Sequence, residues 1–241
     1  MISPLLRTAF ALMLLLGVAA PAHAFRLVPI EMEFAPAGRG ATQTFRVEND
    51  SADPVAVELR ILARRMSEQG EDQLTEVPDA FLVFPEQIVL QPNQSQSVRV
   101  QWTGDANPAK ELAFRLVAEQ LPVDLGRAPP RGGQVRLLMR YIASVYVTPP
   151  TARADVAVTG VEARGKQLEV SVTNRGGMRQ ILRDPVLSLR AGGKTIELRG
   201  DQLAGLAGEN VLAGASRRFL IPWPAGLAQG AMSATLTLPS R

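Results

Sequence analysis

Apolar and polar residues alternate along most of the chain in short segments. In the stretch that begins at Thr42, Phe45 and Val47 lie on one side and Arg46 and Glu48 on the other. A period of two residues is typical of a β-strand with one buried face. The pattern predicts further strands, separated by turn residues, at Val55–Ile61, Phe84–Leu90, Ser95–Trp102, Leu112–Leu121 and Val135–Val147. The polar, glycine-containing stretch 67–76 is predicted to be a loop.

A pair of prolines divides the strand pattern into two blocks. Pro149 and Pro150 cannot both continue a central strand, and the alternation restarts at Asp155. Later strands are predicted at Leu168–Val172, Val186–Leu189, Thr195–Leu198, Arg217–Ile221 and Ala234–Leu238. We therefore expect a domain boundary near Pro149–Ala154, with an N-terminal domain over 25–149 and a C-terminal domain over 150–241. Each is of a size suited to one β-sandwich of roughly 100 residues.

The first 24 residues have the pattern of a secretory signal peptide. Arg7 supplies a positive charge, an apolar run follows over Ala9–Ala20, and Ala22-His23-Ala24 is a small-x-small cleavage site. The run is too short for a membrane span of about 20 residues. The sequence therefore predicts export, cleavage before Phe25 and an extracytoplasmic location.

Composition argues against nucleic-acid binding and against most enzyme classes. The 26 basic and 23 acidic side chains give a net charge of +3, spread along the chain and not gathered into the basic stripe that nucleic acids require. There is no cysteine, and the one histidine, His23, lies in the predicted signal peptide. The usual catalytic triads and Cys–His zinc sites are therefore excluded from the mature chain. We predict no catalytic residue, no cofactor and no metal site.

A carboxylate pair is the one enzymatic chemistry that the composition leaves open. Glu31 and Glu33 are two residues apart, and Glu68, Glu71 and Asp72 lie in the predicted polar loop. Both groups are interpreted as solvated surface charge.

Several motifs, in order, resemble the periplasmic chaperones of the chaperone–usher pilus pathway. Phe84–Val100 is similar to a proline-led strand, a Pro-Asn turn and a Ser-Gln-x-Val-Arg strand of that family. Lys110–Arg115 and Leu121-Pro122 resemble the next family strand and its end. In the second half, Val172–Gly176 and Val211–Arg217 resemble the family's Val-x-Asn strand and its Leu-x-Gly-x-x-Arg turn.

The resemblance implies an all-β protein with two immunoglobulin-like β-sandwich domains in a boomerang arrangement. It also implies a function: binding pilus or fimbrial subunits in the periplasm, lending them the last strand of the first domain, and delivering them to an outer-membrane usher. Lending a strand is β-augmentation, in which backbone hydrogen bonds supply affinity and alternate side chains fill a groove.

The strand predicted over Val135–Val147 suits the donor role. Val135, Leu137, Met139 and Tyr141 share one side of it, because strand side chains alternate. The same four residues could instead be ordinary sandwich core, and the family resemblance favours the donor role. An exposed apolar strand is also prone to self-association, so two copies could pair through it.

The family's carboxylate anchor is altered in this chain. In the family that the chain resembles, an Arg early in the first strand and a Lys late in the donor strand hold the subunit's C-terminal carboxylate. The corresponding positions in this chain are Glu31 and Ser144. We expect Arg115, or failing that Arg140, to take this role, since arginine suits bidentate carboxylate binding; either could instead be a solvated surface side chain.

The family's interdomain ion pair also looks incomplete. Glu111 is present, but Val89 stands where an Arg is usual.

A secreted binding or adhesion module, for a carbohydrate or protein ligand, is the alternative function. Such modules present exposed aromatic platforms. Trp102 lies in an alternating strand and Trp223 lies between two prolines. Two tryptophans and two tyrosines are too few to suggest an aromatic platform.

Overall fold

The first domain consists of ten strands, as seen in a computed structural model that describes residues 25–123, 137–227 and 230–239. The predicted signal peptide and Val135 lie outside these residues. The strands are β1 (Phe25–Val28), β2 (Glu31–Phe34), β3 (Thr42–Asn49), β4 (Val55–Met66), β5 (Asp72–Glu76), β6 (Phe81–Phe84), β7 (Gln87–Leu90), β8 (Ser95–Trp102), β9 (Leu112–Gln120) and β10 (Arg140–Val147).

These strands form two sheets that enclose one apolar core. One sheet has the order β1-β3-β8-β6, and the other has the order β2-β10-β9-β4-β5, with β7 also paired to β4. All pairs are antiparallel except β2 with β10. The alternating positions predicted to be apolar point inward: Phe45, Val47, Val98, Val100 and Leu116 are buried.

The described residues of the second domain form eight strands around a separate core. They are β11 (Val156–Arg164), β12 (Gln167–Asn174), β13 (Gln180–Ile181), β14 (Val186–Ala191), β15 (Lys194–Leu198), β16 (Asn210–Val211), β17 (Ser216–Pro222) and β18 (Met232–Thr237). The sheets are β11-β12-β17, β15-β14-β18 and the short pair β13-β16. Leu168, Val170, Leu187, Leu189 and Phe219 fill the space between them.

A buried asparagine ends one strand in each domain. Asn49 closes β3 and donates its Nδ2 to the carbonyls of Asp53 and Leu90, while Asn174 closes β12 and donates to those of Met178 and Val211. Both side chains are fully buried, so they satisfy backbone groups that water cannot reach.

The predicted fold class, all-β with two immunoglobulin-like sandwiches, is confirmed, and the described residues contain no α-helix. No helix in the described part of the chain is long and apolar enough to cross a membrane. The loop predicted over 67–76 is wrong in its second half. Residues 72–76 form β5, an edge strand that pairs with the end of β4. Because this edge strand is mostly solvent-exposed, it lacks the apolar alternation that marks a half-buried strand.

Candidate functional site

An exposed apolar segment precedes β10. The exposed fractions are 79% for Leu137, 46% for Leu138 and 37% for Met139, and Ile142 within the strand is 44% exposed. Three consecutive exposed apolar side chains are unusual on a soluble surface without a partner.

The strand predicted over Val135–Val147 is shorter in the structure, and it begins at Arg140. The ladder with β9 ends at this point. The N–H of Gln120 donates to the carbonyl of Met139, and the next residue whose N–H would face β10 is Pro122, which has none. Leu137 and Leu138 therefore have no cross-strand partner on β9.

Of the four predicted donor residues, Tyr141 has a different environment from Leu137 and Met139. Its ring packs edge-on against Phe25, with centroids 5.0 Å apart, and it lies partly buried beside the domain's own core. Further along β10, Ala143, Val145 and Val147 are fully buried in that core. The core-facing side of β10 thus leads directly into the exposed apolar segment.

One edge of β10 is open along its first half. Strand β2 pairs in parallel with Ser144–Val147 only, and the N–H of Ser144 donates to the carbonyl of Ile30. Among the described strands, none pairs with Arg140–Ala143 on the side opposite β9. A further strand could therefore add to this edge until it met the start of β2.

Glu31 and Ser144, the two positions at which the resemblance implies cations, lie side by side where the open edge ends. Ser144 is paired with Glu31 on one side and with Arg115 on the other. Arg115 donates a hydrogen bond from Nη1 to the Ser144 hydroxyl. A strand running parallel to β10 along the open edge would bring its C-terminus to this row.

Arg115 is held in place by Asp72, a residue of the stretch predicted to be a loop. Its Nε and Nη2 each lie 2.7 Å from Asp72 Oδ2, and Arg64 Nε lies 2.7 Å from Asp72 Oδ1. The Arg64 side chain is buried and Arg115 is mostly buried. Asp72 thus bridges two arginines on neighbouring strands, β4 and β9.

Arg140 does not belong to this cluster. It is exposed and lies opposite Glu119, whereas Arg115 lies opposite Ser144, four residues further along β10. Four residues of strand correspond to about 13 Å. The structure therefore does not bring the two candidate anchors together.

Arg179 of the second domain provides the interdomain cation that was missing at Val89. Its Nη1 lies 2.6 Å from Glu111 Oε2, and its backbone N–H donates to Glu111 Oε1. The Glu111 side chain is 1% exposed. Arg179 also reaches Glu31 at 3.1 Å and stacks 3.7 Å above the Tyr146 ring.

Charge holds Arg179 in its ionised form. Burial by itself lowers the pKa of this guanidinium, but the negative charge of Glu111, aided by Tyr146 and Glu31, more than compensates and raises its pKa above the ordinary value. Arg179 was missed in the sequence because its acidic partners, Glu111 and Glu31, are 68 or more residues away.

A second contact between the domains involves the turn between β4 and β5. The N–H of Arg218 donates to the carbonyl of Glu68 at 2.7 Å, and the two side chains form an ion pair. Gly70, with a φ of +90°, packs directly on the Arg217 guanidinium, where a Cβ would overlap it. This turn therefore fits only a residue without a side chain.

Tyr146 connects the two domains and contacts Arg64, one of the two arginines that Asp72 bridges. Its hydroxyl accepts hydrogen bonds from Arg64 of the first domain and from Asn210 of the second, both at 3.2 Å. The end of β10, the Arg64–Asp72–Arg115 cluster and the second domain thus form one continuous polar network.

Neither tryptophan is available to form a ligand platform. Trp102 is buried against Phe81 and Phe114, and Trp223 packs against the core of the second domain. Within the described residues, no group of three His, Cys, Asp or Glu side chains could hold a metal ion.

Comparison with known proteins places these features in a family. Residues 35–153 match the family model of the pili and flagellar-assembly chaperones, PapD N-terminal domain. No curated protein matches the chain by sequence.

Several solved structures share the fold over most of the chain. The class 5 fimbriae chaperone CfaA has a TM-score of 0.57 at 15% identity, covering 90% of this chain and all of its own. The CsuC–CsuE chaperone–tip adhesion subunit pre-assembly complex from Acinetobacter baumannii scores 0.57 at 15% identity, covering 88% and 92%. The Salmonella enterica SafA pilin–SafB chaperone complex scores 0.54 at 19% identity, covering 85% and 86%. The N-terminal domain of the chain belongs to the family of pili and flagellar-assembly chaperones, and the whole chain shares their fold.

Proposed function

We propose that this protein captures pilus subunits by adding its own strand to them, and that it does so in the periplasm after export by the signal peptide over residues 1–24. The observation that carries the proposal is the exposed apolar segment Leu137–Met139, which continues the core-facing side of β10 beside an open strand edge. An outer-membrane usher is the expected recipient of the captured subunit.

The energetics favour such a complex. Full burial of a side chain such as Leu137 or Met139 contributes roughly 1.5–3 kcal/mol before ordering costs are subtracted. A partner strand along Arg140–Ala143 would add backbone hydrogen bonds to the open edge.

The function is binding and not catalysis. A subunit whose sheet lacks a strand supplies the complement to the open edge, and a second copy of the chain would be the alternative occupant in the absence of a subunit. A carbohydrate-binding module is not favoured, since Trp102 is buried and Trp223 lies against a core.

Arg115 is the proposed anchor for the subunit's C-terminal carboxylate. It lies in the row with Ser144 and Glu31, at the point where a strand added parallel to β10 would end. Arg140, the second candidate, lies at the opposite end of β10, so we rank it below Arg115.

Substitutions in the apolar segment test the capture mechanism. Leu137→Asp and Met139→Asp should abolish capture of a co-expressed pilus subunit from the source organism, because a buried carboxylate without a partner is costly. Both side chains are at least one-third exposed in the free protein, so its melting temperature should stay unchanged.

Leu82→Asp is the matched control. Leu82 is 57% exposed, between Met139 and Leu137, but it lies on β6 in the other sheet, so its substitution should leave capture intact. Folded Leu137→Asp and Met139→Asp proteins that still bind the subunit would refute strand donation.

A further inference from the structure

Asp72 fills the cation site that Arg64 and Arg115 form over β4 and β9, next to the row at which the open edge of β10 ends. Its two oxygens are divided between two guanidinium groups, Oδ1 to Arg64 and Oδ2 to Arg115, all at 2.7 Å. Charge-assisted hydrogen bonds of this kind are also the contacts with which arginines hold a ligand carboxylate. Here the carboxylate belongs to the chain itself.

The surrounding charges leave no room for a second carboxylate while Asp72 is in place. Three arginines, Arg64, Arg115 and Arg179, face this part of the sheet, together with four acids: Asp72, Glu31, Glu33 and Glu111. The carboxylate of a bound peptide would be the fifth acid beside three arginines, so it would add to an existing excess of negative charge in a partly buried site. Ligand binding at Arg115 is therefore expected to require that Asp72 leave.

Asp72 is free to leave without unfolding the sheet. It is the first residue of β5, an edge strand that pairs with β4 alone among the described strands, and its side chain is about one-quarter exposed. The turn before it stays fixed, since Glu68 is bonded to Arg218 of the second domain. Rotation of the Asp72 side chain toward solvent would expose both guanidinium groups.

After that rotation the two arginines keep their other partners. Arg64 still donates to the Tyr146 hydroxyl and Arg115 to the Ser144 hydroxyl. Both groups therefore remain oriented toward the same point, and less entropy is lost when a carboxylate binds there.

We infer that Arg64 and Arg115 together form a carboxylate-binding site and that Asp72 is its internal competitor, occupying the site in the free protein until a peptide C-terminus displaces it. This inference rests on the proposed capture function and adds a specificity element to it. A strand that lacks a free C-terminal carboxylate at this point could not displace Asp72.

Removing the charge of Asp72 tests the competition. The probe is an N-acetylated pentapeptide Thr-Val-Thr-Val-Phe with a free C-terminal carboxylate, and its C-terminal amide is the control ligand. Asp72→Asn keeps the shape of the side chain, and it should bind the free acid about tenfold more tightly than the wild-type protein does. Binding of the amide should be unchanged, and adding Arg115→Ala should remove the gain.

Two further variants keep the result interpretable. Asp72→Ser provides a second charge removal if Asp72→Asn melts at a lower temperature. Glu76→Gln removes a charge from the same strand at a position opposite Leu62, so it should leave peptide affinity at the wild-type value.

Three outcomes would overturn the inference: equal or weaker binding of the acid by Asp72→Asn, a gain that persists with the amide, or no measurable binding by any variant. In each case the proposed function would still stand if Leu137→Asp abolished capture of the pilus subunit. Loss of that dependence would instead refute the function itself.

Discussion

Replacing Arg179 by Met would leave the Glu111 carboxylate in a buried site without its cation. Glu111 is 1% exposed, and the 2.6 Å ion pair to Arg179 Nη1 is its one contact with a charged group among the described residues. The substitution retains a long apolar stem and removes the charge, so packing on the Tyr146 ring is partly preserved.

The magnitude follows from what remains around Glu111. Removing one partner of a buried ion pair costs about 3–5 kcal/mol. The Thr148 hydroxyl and the backbone N–H of residue 179 still donate to the carboxylate. These two hydrogen bonds keep the expected loss at the low end, about 3 kcal/mol.

Urea denaturation of the purified protein measures this loss. Glu111→Gln removes the buried charge, so the double variant should lose less free energy of unfolding than the two single losses combined, by at least about 1 kcal/mol. Arg199→Met is the matched control, because the Arg199–Glu197 pair is exposed on both sides and should contribute no more than about 1 kcal/mol. Because the raised pKa of Arg179 keeps its charge well into the alkaline range, its stabilisation is present below the ordinary arginine pKa and should not change between neutral and mildly alkaline pH.

Additive losses in the double variant would show that Arg179 and Glu111 are not coupled. A loss from Arg179→Met no larger than that from Arg199→Met would refute the reasoning that a buried carboxylate depends on this cation.

Two further predictions concern backbone positions. Gly70→Ala should destabilise the protein by about 1–3 kcal/mol, because residue 70 has a positive φ and lies against Arg217; an unchanged midpoint in urea would contradict the described turn. Asn174→Ala should cost about 2–3 kcal/mol, since four backbone groups lose their partner; a loss below about 0.5 kcal/mol would contradict its role in closing β12.

Much of the fold could be predicted because the strand pattern is local. Phe45 and Val47, or Val98 and Val100, alternate with polar residues as a half-buried sheet requires, and all four are buried. Strand β5 was missed because an exposed edge strand such as Asp72–Glu76 needs no apolar alternation.

The candidate site could be predicted only in outline. The exposed segment was identified at Leu137 and Met139, and Arg115 was chosen without knowledge of its partner. Asp72 was interpreted as solvated surface charge and Arg179 was not identified, because their roles depend on contacts between residues 43 and 148 positions apart. No sequence pattern indicates which of many surface arginines will meet a buried glutamate.

Amide hydrogen exchange along β10 tests strand addition most directly. The N–H of Ser144 points toward β2, so the N–H groups of Arg140 and Ile142 point to the same side, the open edge, while those of Tyr141 and Ala143 point toward β9. In the monomeric free protein, Arg140 and Ile142 should exchange quickly. In a complex with a captured pilus subunit they should slow by about 100-fold or more, whereas Tyr141 and Ala143 are protected in both states. Unchanged exchange at Arg140 and Ile142 in a fully formed complex would contradict capture by strand addition.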